Sequence, residues 1–247
     1  MKSIIRYIPN TLTCFNLTCG FYASVLGLSG DYFGAMVAIF IAALFDFSDG
    51  LAARLLKSYS TIGKELDSLA DVISFGVAPG MMLYSFIDKL LDRLSWNDAW
   101  VCHLFLLAAF VIPVFSALRL AKFNIDDRQT TSFLGLPVPA HAILWSSLLA
   151  ACSSAVHLTD AGYGLHSIPL SPSALLIVLS IAAIATSLLL VSEIPMFSLK
   201  ITSFAWKKNI FIYTLFLSAI VLISLFGIIG ITVTILLYII LSLVWKR

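Results

Sequence analysis

The chain reads as an all-α, polytopic transmembrane helix bundle of about eight spans, and three observations lead there. Of its 247 residues, 60% are hydrophobic and only 11% are charged, against roughly 45–50% and about 25% in soluble domains. Apolar runs close to 20 residues recur along the whole length, and Lys and Arg fall almost entirely on alternate connectors. So little charge cannot cover a soluble surface, and the same composition excludes disordered, collagenous and disulfide-scaffold classes. A net charge of +2 gives no reason to expect a nucleic acid partner.

A hydrocarbon core about 30 Å thick needs around 20 apolar residues at 1.5 Å rise each. Residues 12–28, 32–53, 66–87, 100–121, 136–155, 174–191, 210–226 and 228–244 meet that need. The final run, 210–244, would be about 52 Å long as one helix, too long for one crossing. Gly227 and Gly230 mark the hairpin that divides it. Ahead of the first span, Lys2 and Arg6 alternate with Ile4, Ile5 and Ile8. Segment 1–9 is therefore expected to lie in the membrane surface rather than to be a cleaved leader. Pro79, Gly80 and Pro113 are expected to kink their helices, and Trp96, Trp100 and Trp206 to anchor at the interface. Asp88, Asp92 and Asp98 read as solvated loop residues. Cys14, Cys19, Cys102 and Cys152 form no CxxC pair and read as apolar thiols.

Eight crossings place both termini on one side. That side collects all of the 15 Lys and Arg except Lys89 and Arg93. The positive-inside rule then makes both termini cytoplasmic, in an inner membrane, with one domain over 1–247.

Carboxylates break the apolar pattern at two places. The second span ends Asp46-Phe47-Ser48-Asp49-Gly50, then Ala53-Arg54; the third opens at Gly63 and carries Asp67 and Asp71. Spacings of three and four put each pair on one helix face. Asp46 lies about 22 Å beyond Asp31, leaving roughly 8 Å of the core, so it belongs near the cytoplasmic headgroup level. Asp67 and Asp71 enter from that end and reach a similar depth. Each ionised carboxylate at mid-membrane costs about 2.5–3.5 kcal/mol on insertion scales. Four together point to hard divalent cations, Mg2+ or Mn2+, bound through oxygen alone. Gly50 and Gly63 leave room for a ligand, and Arg54 offers a fork suited to phosphate. A carboxylate-based cation transporter remains the rival from another class, although the internal symmetry and broken half-helices it predicts are not found.

These residues, Asp46-x2-Asp49-Gly50-x2-Ala53-Arg54-x8-Gly63-x3-Asp67-x3-Asp71, are similar at every position to the signature of the CDP-alcohol phosphotransferase family. Pro9-Asn10-x2-Thr13-x2-Asn16, Ser74-Phe75-Gly76-x2-Pro79, Arg119-Leu120-Ala121-Lys122-Phe123-Asn124 and Gly135-Leu136-Pro137 resemble its integral-membrane, serine-using branch. The resemblance implies a six-helix core, which leaves 210–245 as an added hairpin, and a homodimer in the membrane. It implies attack of an L-serine hydroxyl on the lipid-bearing phosphate of CDP-diacylglycerol, with release of CMP. Two divalent cations would be held by Asp46, Asp49, Asp67 and Asp71, with Asp71 shared as ligand or acting as general base. Gly50, Ala53, Arg54 and Gly63 would line the CDP site, joined by Asn10 and Thr13. Arg119 and Lys122 are candidates for the serine carboxylate or a lipid phosphate, and Asn124 and Ser74 for orienting serine. A sister enzyme using glycerol phosphate or inositol phosphate is the nearest alternative. It would want a denser basic pocket than Arg119, Lys122 and Arg128 provide.

Overall fold

The computed structural model describes residues 7–58, 60–96, 98–125, 133–155, 171–197 and 209–244. The expected interfacial segment therefore lies mostly outside the described residues, as do Trp206, Arg128 and the loop after 155. Among the described residues eight helical rods follow one another in the expected order: α1 (Ile8–Ser29), α2 (Tyr32–Leu55), α3 (Thr61–Asp71) running on into α4 (Ala78–Leu94), α5 (Ala99–Ile125), α6 (Val138–Ala155), α7 (Pro172–Val191), α8 (Ile210–Phe226) and α9 (Ile228–Val244). Among the described residues five rods are long and apolar enough to cross a bilayer, and α6, α8 and α9 are shorter apolar helices. The chain is thus an all-α polytopic bundle.

Three helix starts, those of α2, α3 and α7, carry side-chain caps. Asp31 accepts from Gly34 N at 2.8 Å, Ser60 from Gly63 N at 2.9 Å and Ser171 from Ala174 N at 3.2 Å. Because Ser60 caps it, the third rod begins at Thr61, a full turn before its first apolar stretch. Its expected irregularity is real but displaced. Val72–Val77 form a π turn between α3 and α4, and Pro79 stands in the first turn of α4. Proline supplies no N–H and crowds the carbonyl four residues back, so a widened turn upstream accommodates it without a break. Pro113 sits inside the uninterrupted α5. Its ring meets the glycine face of α4, where a Cβ on Gly80 would come within 2.9 Å of Pro113 Cδ.

Without a hydrophobic drive between helices in lipid, close approach of small residues holds such bundles together. On α1 the buried stripe is Thr13, Asn16, Gly20, Ala23, Ser24 and Gly27. A Cβ at Gly20 would collide with Ser74, and one at Gly27 would lie 2.7 Å from Met82 Cγ. The stripe therefore docks α1 directly on the π turn and α4. On α2 the inward positions Tyr32, Ala35, Ile39, Ala42 and Asp49 repeat at helical spacing, so the acidic face continues the core-facing face.

The second half is tied by polar contacts. Trp145 Nε1 donates to Thr186 Oγ1 and His141 Nε2, each at 3.1 Å, joining α6 to α7. A two-residue antiparallel ladder pairs β1 (Phe133–Leu134) with β2 (Pro195–Met196). Gly135 (φ +76°) turns the chain there, packed against the carbonyls that end α7, and α6 starts at Val138 rather than Leu136. Gly227 (φ +61°) makes the turn between α8 and α9. In that hairpin α9 is bound to the bundle, with Ser147 and Thr232 hydroxyls 2.8 Å apart and Tyr238 Oη donating to Phe197 O at 3.2 Å. Phe216, Leu217, Ile220 and Leu225 of α8 stay exposed.

Candidate active site

The C-terminal end of α2 and the N-terminal end of α3 meet beside the start of α1. Asp46 and Asp49, one helical turn apart on α2, and Asp67 on α3 each bring a carboxylate oxygen within 4.8 Å of the other two. Asp49 is buried, and Asp46 and Asp67 are partly so. Three like charges at that distance repel strongly in a poorly solvated setting. Thr13 relieves part of the cost by donating to Asp49 Oδ2 at 2.5 Å. Asp67 Oδ1 is buried without a hydrogen-bond partner among the described residues. An unmatched carboxylate oxygen in a cluster of acids, with no His or Cys in the group, is the donor set of a hard divalent cation.

The fourth acid stands apart from these three. Asp71 lies one turn further along the same helix and is not part of the three-acid group. It is buried, and its Oδ1 accepts from Asn16 Nδ2 at 3.1 Å. It remains within electrostatic reach of Asp46, Asp67 and Asp49.

A cavity of about 890 Å³ opens beside the acids, within the usual range for small-molecule sites. Asn10, Thr13, Gly50, Ala53, Arg54 and Gly63 all line it, together with Asp49 and Asp67. Gly50 has open space before it: an added Cβ would meet nothing nearer than an Arg54 nitrogen at 4.0 Å. Packing within the protein does not require glycine there. Gly63 differs, since its Cβ would lie 2.9 Å from both Asn10 Oδ1 and Ser60 Oγ. Arg54 Nε donates to Gly50 O at 3.0 Å, which lays the side chain along the cavity wall while it stays exposed.

Several lining residues escaped the reading of the sequence: Pro9, Ser58, Ser60, Thr61, Lys64 and Phe123. Pro9 comes from α1 and Phe123 from α5, whereas Ser58, Ser60, Thr61 and Lys64 are brought in by a turn. Lys57 adopts φ +49°, Ser58 N reaches Ala53 O at 3.0 Å, and the connector folds back over the end of α2. Ser58 Oγ is then buried without a partner among the described residues. Asp-Gly and Ala-Arg spacing announces the acids, whereas no local pattern announces such a turn.

The four residues expected at the acceptor divide. Arg119 is buried, with its guanidinium 5.3 Å from the centre of the Phe123 ring, so it stands behind a cavity-lining residue. Asn124 Nδ2 donates to Ser68 Oγ at 2.8 Å, and its carbonyl accepts from Lys64 at 3.3 Å, clasping α5 to α3 at the cavity edge. Lys122 points to the end of α7, toward Val191 O at 3.5 Å and Glu193 at 3.8 Å. Ser74 is fully buried and donates to Asn16 O at 3.0 Å, so its proton is spent within the fold. None of the four, Arg119, Lys122, Asn124 and Ser74, is among the cavity-lining residues.

A family model described as CDP-alcohol phosphatidyltransferase matches residues 6–245. Among curated proteins, the CDP-diacylglycerol–serine O-phosphatidyltransferase of Bacillus subtilis is 37% identical over 135 residues, 55% of this chain and 71% of the relative. That of Helicobacter pylori strain 26695 is 36% identical over 138 residues, 55% of this chain and 54% of the relative. The archaetidylserine synthase of Methanothermobacter thermautotrophicus is 34% identical over 150 residues, 59% and 60% of the two chains. The matched segments thus span from 54% to 71% of these relatives' lengths.

Proposed function

Because this chain belongs to the CDP-alcohol phosphatidyltransferase family, we propose that it transfers the phosphatidyl group of CDP-diacylglycerol to the hydroxyl of L-serine, releasing CMP. The single observation that carries the reading is that a three-acid cluster, Asp46, Asp49 and Asp67, presents two of its members, Asp49 and Asp67, together with the open glycine Gly50 to one cavity of about 890 Å³. Relatives named for serine transfer support the choice of acceptor.

Asp46, Asp49 and Asp67 suit two divalent cations, Mg2+ or Mn2+, with Asp71 close enough to share in them. When bound, such ions neutralise the diphosphate and stabilise the leaving oxygen. The chain's own residues do the rest. Arg54, anchored on Gly50 O, sets a fixed positive charge beside the diphosphate. Gly50 and Ala53 leave a smooth wall for the nucleotide, and Asn10, Thr13 and Gly63 close the side formed by α1 and α3. Thr13 also fixes the rotamer of Asp49. A serine hydroxyl is a poor nucleophile at neutral pH, so it needs a carboxylate within hydrogen-bond reach. Asp71 takes that proton as the serine oxygen bonds to the lipid-bearing phosphorus and the bond to the CMP phosphate oxygen breaks. Arg119, behind Phe123, offers the cation that the serine carboxylate requires. Lys122 and Asn124 hold the surrounding helix ends in place.

Both acyl chains must stay in lipid while CDP and serine arrive from water, which places the reaction at the cytoplasmic headgroup boundary of the inner membrane. A homodimer in that membrane fits the family. The test is an acceptor panel: purified protein, CDP-diacylglycerol, a divalent cation, and labelled serine, glycerol phosphate or inositol phosphate in turn. CMP release and labelled lipid with serine are expected. Turnover confined to a phosphorylated acceptor would overturn the assignment.

A further inference from the structure

Asn16 lies outside the acid-bearing signature, at the end of the Pro9-Asn10-x2-Thr13-x2-Asn16 stretch, and is not among the cavity-lining residues, yet its side chain contacts Asp71. It sits on the small-residue stripe of α1, fully buried. Its side-chain nitrogen donates to Asp71 Oδ1 at 3.1 Å, and its backbone carbonyl accepts from Ser74 Oγ at 3.0 Å. Its own Oδ1 is buried without a hydrogen-bond partner among the described residues. Stability alone is a poor explanation for that arrangement. A buried amide with one half unsatisfied costs more than an apolar residue of similar size. Such costs collect at sites where geometry, rather than packing, is under demand.

The surroundings specify the geometry. Asp71 is followed at once by the π turn Val72–Val77, where the ordinary helical ladder is interrupted. Gly20 lets α1 approach so closely that a Cβ there would strike Ser74. Asn16, one turn before Gly20, is thereby pressed against the end of α3 on the side where the acids gather. Thr13, a further turn back on the same stripe, makes the equivalent contact with Asp49. One face of α1 thus holds one acid from each of the two acid-bearing helices.

We propose that Asn16 is a positioning residue for Asp71: it holds one carboxylate oxygen and leaves Oδ2 to receive the proton of the incoming hydroxyl. The proposal rests on the reading of Asp71 as proton acceptor. The proton passes from the acceptor hydroxyl to Asp71 while the oxygen–phosphorus bond forms, and Asn16 exchanges nothing.

Asn16→Leu keeps the volume and removes the donor. Its kcat with serine should fall roughly 10- to 100-fold, the effect of losing one hydrogen bond to a charged group. The KM for CDP-diacylglycerol and the affinity for CDP measured by calorimetry should stay within about threefold. Asn16→His, which can present a ring N–H where the amide stood, should recover part of kcat. Ser24→Ala, which removes a buried hydroxyl that donates to Gly20 O on the same helix, should leave kcat within about twofold. If Asn16→Leu fails to fold, the smaller Asn16→Ala, which also lacks a donor, carries the same expectation. An unchanged kcat, or a loss carried by KM and CDP affinity, would overturn the proposal. Serine turnover by the unmodified protein and its loss in Asp71→Asn check the underlying reading separately. If those hold and the Asn16 variants keep full kcat, the positioning role alone has failed.

Discussion

The two ends of the first three rods carry similar polar groups and use them in opposite ways. At the end away from the acids, Tyr32 Oη and Ser85 Oγ are 3.2 Å apart, and Ser85 donates to Leu28 O at 3.2 Å. Lys89 lies 5.3 Å from the Tyr32 ring centre and reaches Ser29 O at 3.4 Å. Gly30 (φ +92°) is roofed by the Lys89 ammonium, so even its missing side chain is accounted for by the chain itself. At the acid end the account stays open: Asp67 Oδ1 and Ser58 Oγ lack partners among the described residues, and Gly50 faces empty space. Buried polar groups that a fold leaves unmatched are the ones a ligand completes. The first end locks helices together, and the second is built for something that comes and goes.

That contrast is broken most directly at the acids. Asp46→Asn, Asp49→Asn or Asp67→Asn should each lower CMP release by about a thousandfold or more, because cation binding at such sites supplies several kcal/mol at the transition state. Thermal stability in detergent, measured without added metal, should hold or rise, since each change removes one of several repelling charges. A fall in both together would show that the acids belong to the scaffold, and the distinction between the two ends would vanish.

A middle-sized effect should come from Gly50. In Gly50→Ala the new methyl meets nothing beyond its own helix backbone closer than 4.0 Å, so folding should be kept. The methyl would occupy room that the nucleotide needs, and overpacking of that kind costs about 1–3 kcal/mol. The expected result is a KM for CDP-diacylglycerol raised roughly 5- to 100-fold with a melting temperature equal to or slightly above the parent's, since alanine is favoured over glycine inside a helix by about 0.5–1 kcal/mol. A KM near that of the parent would mean that the nucleotide lies elsewhere in the cavity.

The sequence made one of these ends far more legible than the other. Eight apolar rods and their order follow from hydropathy, because lipid permits few other structures. Asp46, Asp49 and Asp67 stand out because charge is so rare in this chain, and helical spacing alone puts Asp46 and Asp49 on one face. Asn16 and Ser74 are harder. Their partners are 55 and 58 residues away, and nothing local distinguishes a side chain that contacts ligand from one that contacts backbone. Lys122 illustrates the same limit. Its place near the end of α5 suited an anion, but the exposed carbonyls at the end of α7 and Glu193 form a nearer negative site. The π turn also lay beyond pattern reading. Pro79 signals an irregularity, yet which turn absorbs it depends on α1 pressing against Ser74 and α5 against Gly76 and Gly80.

The smallest effect is expected at the locked end, and it tests the contrast from the other side. Tyr32→Phe keeps the ring under Lys89 and the edge-on contact with Phe86 at 5.6 Å, losing only the hydroxyl. Ser85 retains Leu28 O as a partner, so no buried donor is stranded and the cost should stay near the usual 0.5–1.5 kcal/mol for one hydrogen bond. In a melting experiment that is a shift of a few degrees, of order 2–4 °C for a chain of this size. Both kcat and KM should match the parent within about twofold, because Tyr32 begins the helix that carries Asp46 but stands 14 residues and about 21 Å from it along the axis. A large loss of turnover with a modest melting shift would mean that the two ends move as one, with the hydroxyl pair fixing the tilt of α2 and thereby the spacing of the acids. A local effect on melting alone would establish that each end does its work independently of the other.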